Sequence, residues 1–144
     1  MSTNKKLAID FINTYFNLQA SWTDIAPYVE GEGVLTHPLM GTCTIHDGYN
    51  ALHGPFLKSF PDIGHVIQTA GDTDSGQVFV GTLATGTFRG EWAGHQPNGK
   101  RWEIPASFLL TFKNGKITRV DELESHHMIN DQLGIHLFKS AVEA

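Results

Sequence analysis

Between Leu7 and Leu18 the apolar residues Leu7, Ala8, Phe11, Ile12, Tyr15 and Leu18 recur at spacings of three and four, the period of a helix with one buried face. Ile9 and Phe16 widen that stripe, and the spacing predicts a first helix. A short second helix is expected from Thr23, as N-cap, through Ile25 and Tyr28, with Pro27 near its first turn, where a proline is best tolerated. Gly31, Gly33 and Pro38 then break the chain around an extended Val34-Leu35-Thr36-His37. Residues 47–60 return to the helical period, with Asp47 as cap and Tyr49, Leu52, Phe56, Leu57 and Phe60 on one face. Gly54-Pro55 interrupts the hydrogen-bond ladder in the middle of that segment.

From residue 66 the period changes. Residues 66–70, 77–89, 102–112 and 116–124 are rich in Val, Ile, Thr and Phe, and the turns Asp74-Ser75-Gly76, Pro97-Asn98-Gly99 and Lys113-Asn114-Gly115 separate them. Strands joined so closely pair antiparallel, which gives a meander. Met128, Ile129, Leu133 and Leu137, with Gly134 among them, predict a C-terminal helix. Helices first and a meander afterwards is a segregated α+β plan, a single domain over residues 1–144. Long strands curl, and glycines at 81, 86, 90 and 94 give them places to bend. The expectation is a cone-shaped, curved antiparallel sheet packed against N-terminal helices, with a cavity between them.

The net charge of −5 and the scatter of the basic residues argue against nucleic acid. No apolar run approaches the roughly 18 residues needed to span a bilayer, and Asp10, Asn13 and Asn17 interrupt the segment where a signal peptide would be apolar. The lone Cys43 can form no intramolecular disulfide, so the expected location is cytoplasmic. Neither metal-ligand spacing nor a phosphate loop is present, and no cofactor is expected. The eight histidines are read mainly as surface groups.

His37-Pro38, Phe60-Pro61-Asp62, Thr85-Gly86-Thr87-Phe88-Arg89-Gly90, Pro97-Asn98-Gly99-Lys100, Asn114-Gly115-Lys116-Ile117 and Gln132-Leu133-Gly134 follow one another in an order and spacing that resemble the SnoaL-like polyketide cyclases. That family is a branch of the nuclear transport factor 2-like superfamily, which also holds ketosteroid isomerase and limonene epoxide hydrolase. The resemblance implies a cystatin-like α+β barrel, a pocket for a small hydrophobic or aromatic molecule, and a homodimer. It also implies an acid/base aspartate eight residues past Ile117 and seven before Gln132, where this chain has Ser125. Phe88 replaces a frequent pocket histidine, and Asp121 stands at a family tryptophan.

Alternation along the last strand puts Arg119, Asp121, Leu123 and Ser125 on one face. If that face lines the pocket, Asp121 is the candidate acid/base; otherwise it pairs with Arg119 or Lys100 at a sheet edge. His37 is either a pocket hydrogen-bonding group or a histidine bonded to loop backbone, and His126 is a second candidate donor. Ser125, Phe88, Trp102, Arg119 and Tyr15 complete the expected binding set. The aromatic residues, Phe79 among them, are read first as core. Three functions follow: cofactor-free proton transfer on a hydrophobic carbonyl compound, as in cyclases and isomerases; ligand binding without catalysis; or epoxide hydrolysis, which needs a second carboxylate beside Asp121 and Arg119. Apolar residues on both faces of strand 102–112 predict that a second copy covers the convex side of the sheet.

Overall fold

The computed structural model describes residues 2–135. Helix α1 (Thr3–Tyr15) buries Ala8, Phe11, Ile12 and Tyr15, the stripe its spacing predicts, and the Ser2 hydroxyl caps it by accepting the Lys5 N–H. Helix α2 (Trp22–Ile25) is capped by Ser21, two residues earlier than expected, and Pro27 lies in the 3₁₀ turn Ala26–Tyr28 that follows. The extended segment at 34–37 is the second half of β1 (Val29–His37), which turns back into the short β2 (Gly41–Thr44).

The helix expected over 47–60 divides. Thr44 and Asp47 form a reciprocal cap, each side chain accepting the other's backbone N–H at 3.0 Å, so Thr44 rather than Asp47 starts α3 (Ile45–Ala51). Pro55 has no N–H to give, and the chain widens into a π-turn over Leu52–Phe56, with Gly54 outside helical geometry, before the single turn α4 (Leu57–Ser59).

Strands β3 (Gly64–Asp72), β4 (Val78–Thr87), β5 (Arg101–Lys113) and β6 (Lys116–Glu124) form the expected meander. Asn114 and Gly115, at φ 50° and 75°, make the two-residue turn between the last two. The sheet order is β2-β1-β6-β5-β4-β3. The sheet is mixed, since β1 joins β6 in parallel. Helix α5 (His126–Leu133) then packs on β5, and Gly134 at φ 75° ends it rather than lying inside it. Leu137 lies outside the described residues.

The sheet is curved and unclosed. Its concave face carries Val78, Val80 and Ala84 of β4, Ile104, Phe108 and Leu110 of β5, and Ile117 and Val120 of β6, all buried under α1 and its neighbours. Ile117 and Val120 both point inward although they are three residues apart. Thr111 pairs with Arg119 and Phe112 with Ile117, so Thr118 is an extra residue on β6, a β-bulge. Past a bulge the alternation changes phase. Val120, Glu122 and Glu124 face the cavity, and Arg119, Asp121 and Leu123 face away. Phe79 is 41% exposed on the convex face rather than in the core.

Candidate active site

The concave face and the α3–α4 segment enclose a cavity of about 40 Å³. Its walls are aromatic: Phe16 and Tyr15 from α1, Phe56 and Phe60 from the broken helix, Trp92 from the β4–β5 loop, and Trp102 from β5. Phe60 meets the edge of Trp102 at 5.3 Å between centroids, and Trp92 is held by its indole N–H donating to Asn130 at 2.8 Å.

Into this apolar chamber β6 places two carboxyl groups. Glu122 and Glu124 are two residues apart on one face, with side chains 7% and 8% exposed. Two carboxylates this close and this dry cannot both be charged. Burial and the neighbouring charge push the Glu122 carboxyl well above the usual range. Glu124 is also opposed by burial, but hydrogen bonds from His37 and from the protonated Glu122 carry it the other way, to about 2. The two shifts run in opposite directions, one carboxyl towards its protonated form and the other towards its ionised form.

His37 closes β1 beside them. Its Nδ1 accepts the backbone N–H of Leu39 at 3.1 Å, so the ring proton is on Nε2, which lies 3.5 Å from both Glu122 and Glu124. One ring nitrogen of His37 is tied to loop backbone and the other faces the two glutamates at the cavity. The parallel β1–β6 pairing makes this possible, bringing the end of β1 level with the end of β6. His126, the first residue of α5, puts Nε2 3.6 Å from Glu124 and leaves Nδ1 buried without a partner. Burial draws its pKa down.

His37, Glu124 and His126 present atoms within 4.8 Å of one another, a separation a metal ion can bridge. The hydrogen bonding of His37 opposes that use. A ligating Nε2 needs a free lone pair and a proton on Nδ1, whereas Nδ1 here faces the N–H groups of Leu39 and Met40 as an acceptor. The trio fits a hydrogen-bond network better than a metal site.

Of the residues singled out in the sequence, His37, His126, Trp102 and Tyr15 line the cavity together. The other four do not. Asp121 turns outward, accepts from Thr36 at 2.7 Å and from Arg119 at 3.0 Å, and has its pKa lowered by those bonds. Arg119 is half-exposed beside it. Ser125 accepts the Met128 N–H as the cap of α5 and borders a groove on the convex side. Phe88 is buried against Phe60, behind the wall. Glu122, Glu124 and His65 were not anticipated. The signal was the Ile117–Val120 spacing, which breaks strict alternation and marks the bulge. Three histidines, 37, 65 and 126, line the cavity rather than the surface.

A model of the SnoaL-like polyketide cyclases matches residues 6–133. The chain belongs to this family. No match was found among curated proteins. Among solved structures, AclR from Streptomyces galilaeus, proposed to be a hydroxylase, is similar at 21% identity over 96% of this chain and 85% of its own, with a TM-score of 0.74. IdmH from Streptomyces antibioticus, proposed to be a polyketide cyclase, is similar at 16% identity over 93% of this chain and 100% of its own, with a TM-score of 0.76. A protein of ketosteroid isomerase-like fold from Catenulispora acidiphila, solved with trimethylamine, is similar at 13% identity over 91% and 94%, with a TM-score of 0.71. At these identities the likeness speaks for the fold. Within this SnoaL-like fold, the described residues include no helix long and apolar enough to cross a membrane.

Proposed function

We propose that this SnoaL-like chain takes a small hydrophobic carbonyl compound into its cavity and moves a proton on it with the Glu122–Glu124 pair. The observation that carries this reading is a pair of buried carboxyl groups, both 3.5 Å from His37 Nε2 on the same wall of an aromatic cavity, with burial raising the pKa of one and hydrogen bonds lowering that of the other. Such a pair acts on both ends of an α-C–H/carbonyl unit. Glu124 takes the proton from carbon, Glu122 gives its proton to the carbonyl oxygen, and the carbon–hydrogen bonding electrons become the enol double bond. The pair holds one proton before and after, with the roles exchanged. No net charge builds up where charge is expensive. His37 orients both carboxyl groups through Nε2, and His126 stands by Glu124.

The free space of about 40 Å³ holds about three waters. A ring-sized ligand therefore enters by displacing side chains, and Met40, an unbranched lining residue, is the most adaptable of them. Ligand binding without catalysis is the second reading. It is favoured by Ser125, which spends its hydroxyl on capping α5 at the position where the resemblance puts an aspartate.

Exchange of α-protons for deuterium, followed by proton NMR on a panel of small cyclic ketones, tests the proposal. The expected result is exchange above the buffer rate. Glu124→Gln and Glu122→Gln should each lower it by about 100-fold or more, the usual contribution of a positioned acid or base. Asp121→Asn, which faces away from the cavity, should leave the rate unchanged. Ketone binding with no exchange above buffer would favour the second reading.

A further inference from the structure

His65 is a half-buried titratable group for which the carboxyl pair has no use. It lies near the start of β3, with its ring stacked on Phe16 at 3.8 Å and edge-on to Phe108 at 5.6 Å between centroids. Its Nδ1 is 2.9 Å from the Thr82 hydroxyl oxygen. The protons around that hydroxyl can be assigned. Thr82 Oγ1 is 3.2 Å from the Ala106 carbonyl, and a carbonyl only accepts, so the single hydroxyl hydrogen points there. Towards His65 the hydroxyl then accepts, which places the ring proton on Nδ1. A neutral imidazole has one N–H, so Nε2 keeps its lone pair. Burial keeps the ring neutral, pushing its pKa down to about 4 although the charge on Glu124 pulls the other way. The ring borders the cavity, and Nε2 is the nitrogen left free to serve it.

We propose that His65 Nε2 is a fixed hydrogen-bond acceptor in the cavity wall, and that the ligand is a small, flat molecule presenting a hydroxyl to it. The inference rests on the reading that the cavity takes a small molecule, but not on proton transfer. Flatness follows from the walls, where Phe16, Phe60 and Trp102 leave a space bounded by ring faces and edges. The hydroxyl follows from the acceptor. His65 Nε2 needs a donor, and a ligand with none would strip water from the imidazole and leave its lone pair unpaired.

The test has two parts on the intact protein. In protein labelled with ¹⁵N-histidine, two-bond proton–nitrogen correlation NMR at neutral pH should show His65 as the Nδ1–H tautomer, with Nε2 unprotonated. Phenol should then move the His65 Nε2 resonance towards the hydrogen-bonded position, and its methyl ether anisole should not. Phenol should bind about 3- to 10-fold more tightly than anisole, the worth of one neutral hydrogen bond, and His65→Phe should abolish that ratio while leaving anisole binding in place. An Nε2–H tautomer, an Nε2 resonance unmoved by saturating phenol, or a phenol preference that survives in His65→Phe would overturn the inference. Ketone exchange insensitive to the glutamates, with these His65 results as expected, would instead remove the proton-transfer reading and leave this one standing.

Discussion

Glu122 keeps its proton because of its surroundings. A glutamic acid in water is ionised at neutral pH, but here burial and the adjacent Glu124 charge act in the same direction. His65 shows the same physics with the opposite charge. Its folded-state pKa of about 4 lies below the ordinary 6.5, so the unfolded chain binds the proton more readily than the folded one. Its contribution to stability is complete above 6.5 and is lost as pH falls from there towards 4. The titratable groups that line the cavity with it are Glu124, whose pull is already included in that shift, and Tyr15, Glu122, His37 and His126. Denaturant melts of the wild type and His65→Phe between pH 4 and 7 should therefore differ in slope. The wild type should lose stability on acidification through this window, and the variant should lose less. Parallel curves would mean that His65 is not buried as a neutral ring.

Among the elements, the locally encoded ones were legible and the phase of β6 was not. The stripe of α1 and the Asn114-Gly115 turn are written in neighbouring residues, and both stand where their spacing puts them. Thr118 carries no turn chemistry. It becomes the extra residue only because β5 sets the register opposite it, a fact about two strands that no single segment contains. That one residue exchanges Asp121 for Glu122 at the cavity. The division of the 45–59 segment was half legible, since Pro55 announces a break without saying that a π-turn absorbs it. Gly86 on β4 is likewise explained only by its partner strand, because a Cβ there would sit 2.7 Å from the Trp102 ring. Gly86→Ala must push the indole into the cavity or off the sheet, and overpacking of this kind costs about 1–3 kcal/mol. A calorimetric melting temperature lower by several degrees, with weaker ligand binding, is the expected outcome. A neutral effect would mean that the indole has room to shift.

At the scale of the whole molecule, the convex side of the sheet is the part that the described residues leave uncovered. Phe79 (41% exposed), Leu123 (70%) and Met128 (42%) stand around a groove of about 440 Å³ on that side, an apolar surface larger than isolated exposed residues would make. A second copy of the chain is the expected cover. Light scattering at micromolar concentration should give twice the mass of one chain, and Leu123→Lys should give the monomer with the cavity intact. A wild-type monomer under those conditions would leave this surface without its predicted partner.

The parallel pairing of β1 with β6 also governs when the cavity acquires its charge. His37 and the two glutamates are separated by about 85 residues of chain, and they meet only when the first strand docks against the last. Contacts of such long sequence separation form late, because the loop between them must close first. The meander from β3 to β6 can form its strand pairs before the helices and β1 dock on it, while Glu122 and Glu124 are still hydrated. The cost of drying them then falls after most of the sheet has formed, so changes to the pair act mainly on the rate at which the native state opens rather than on the rate at which it is reached.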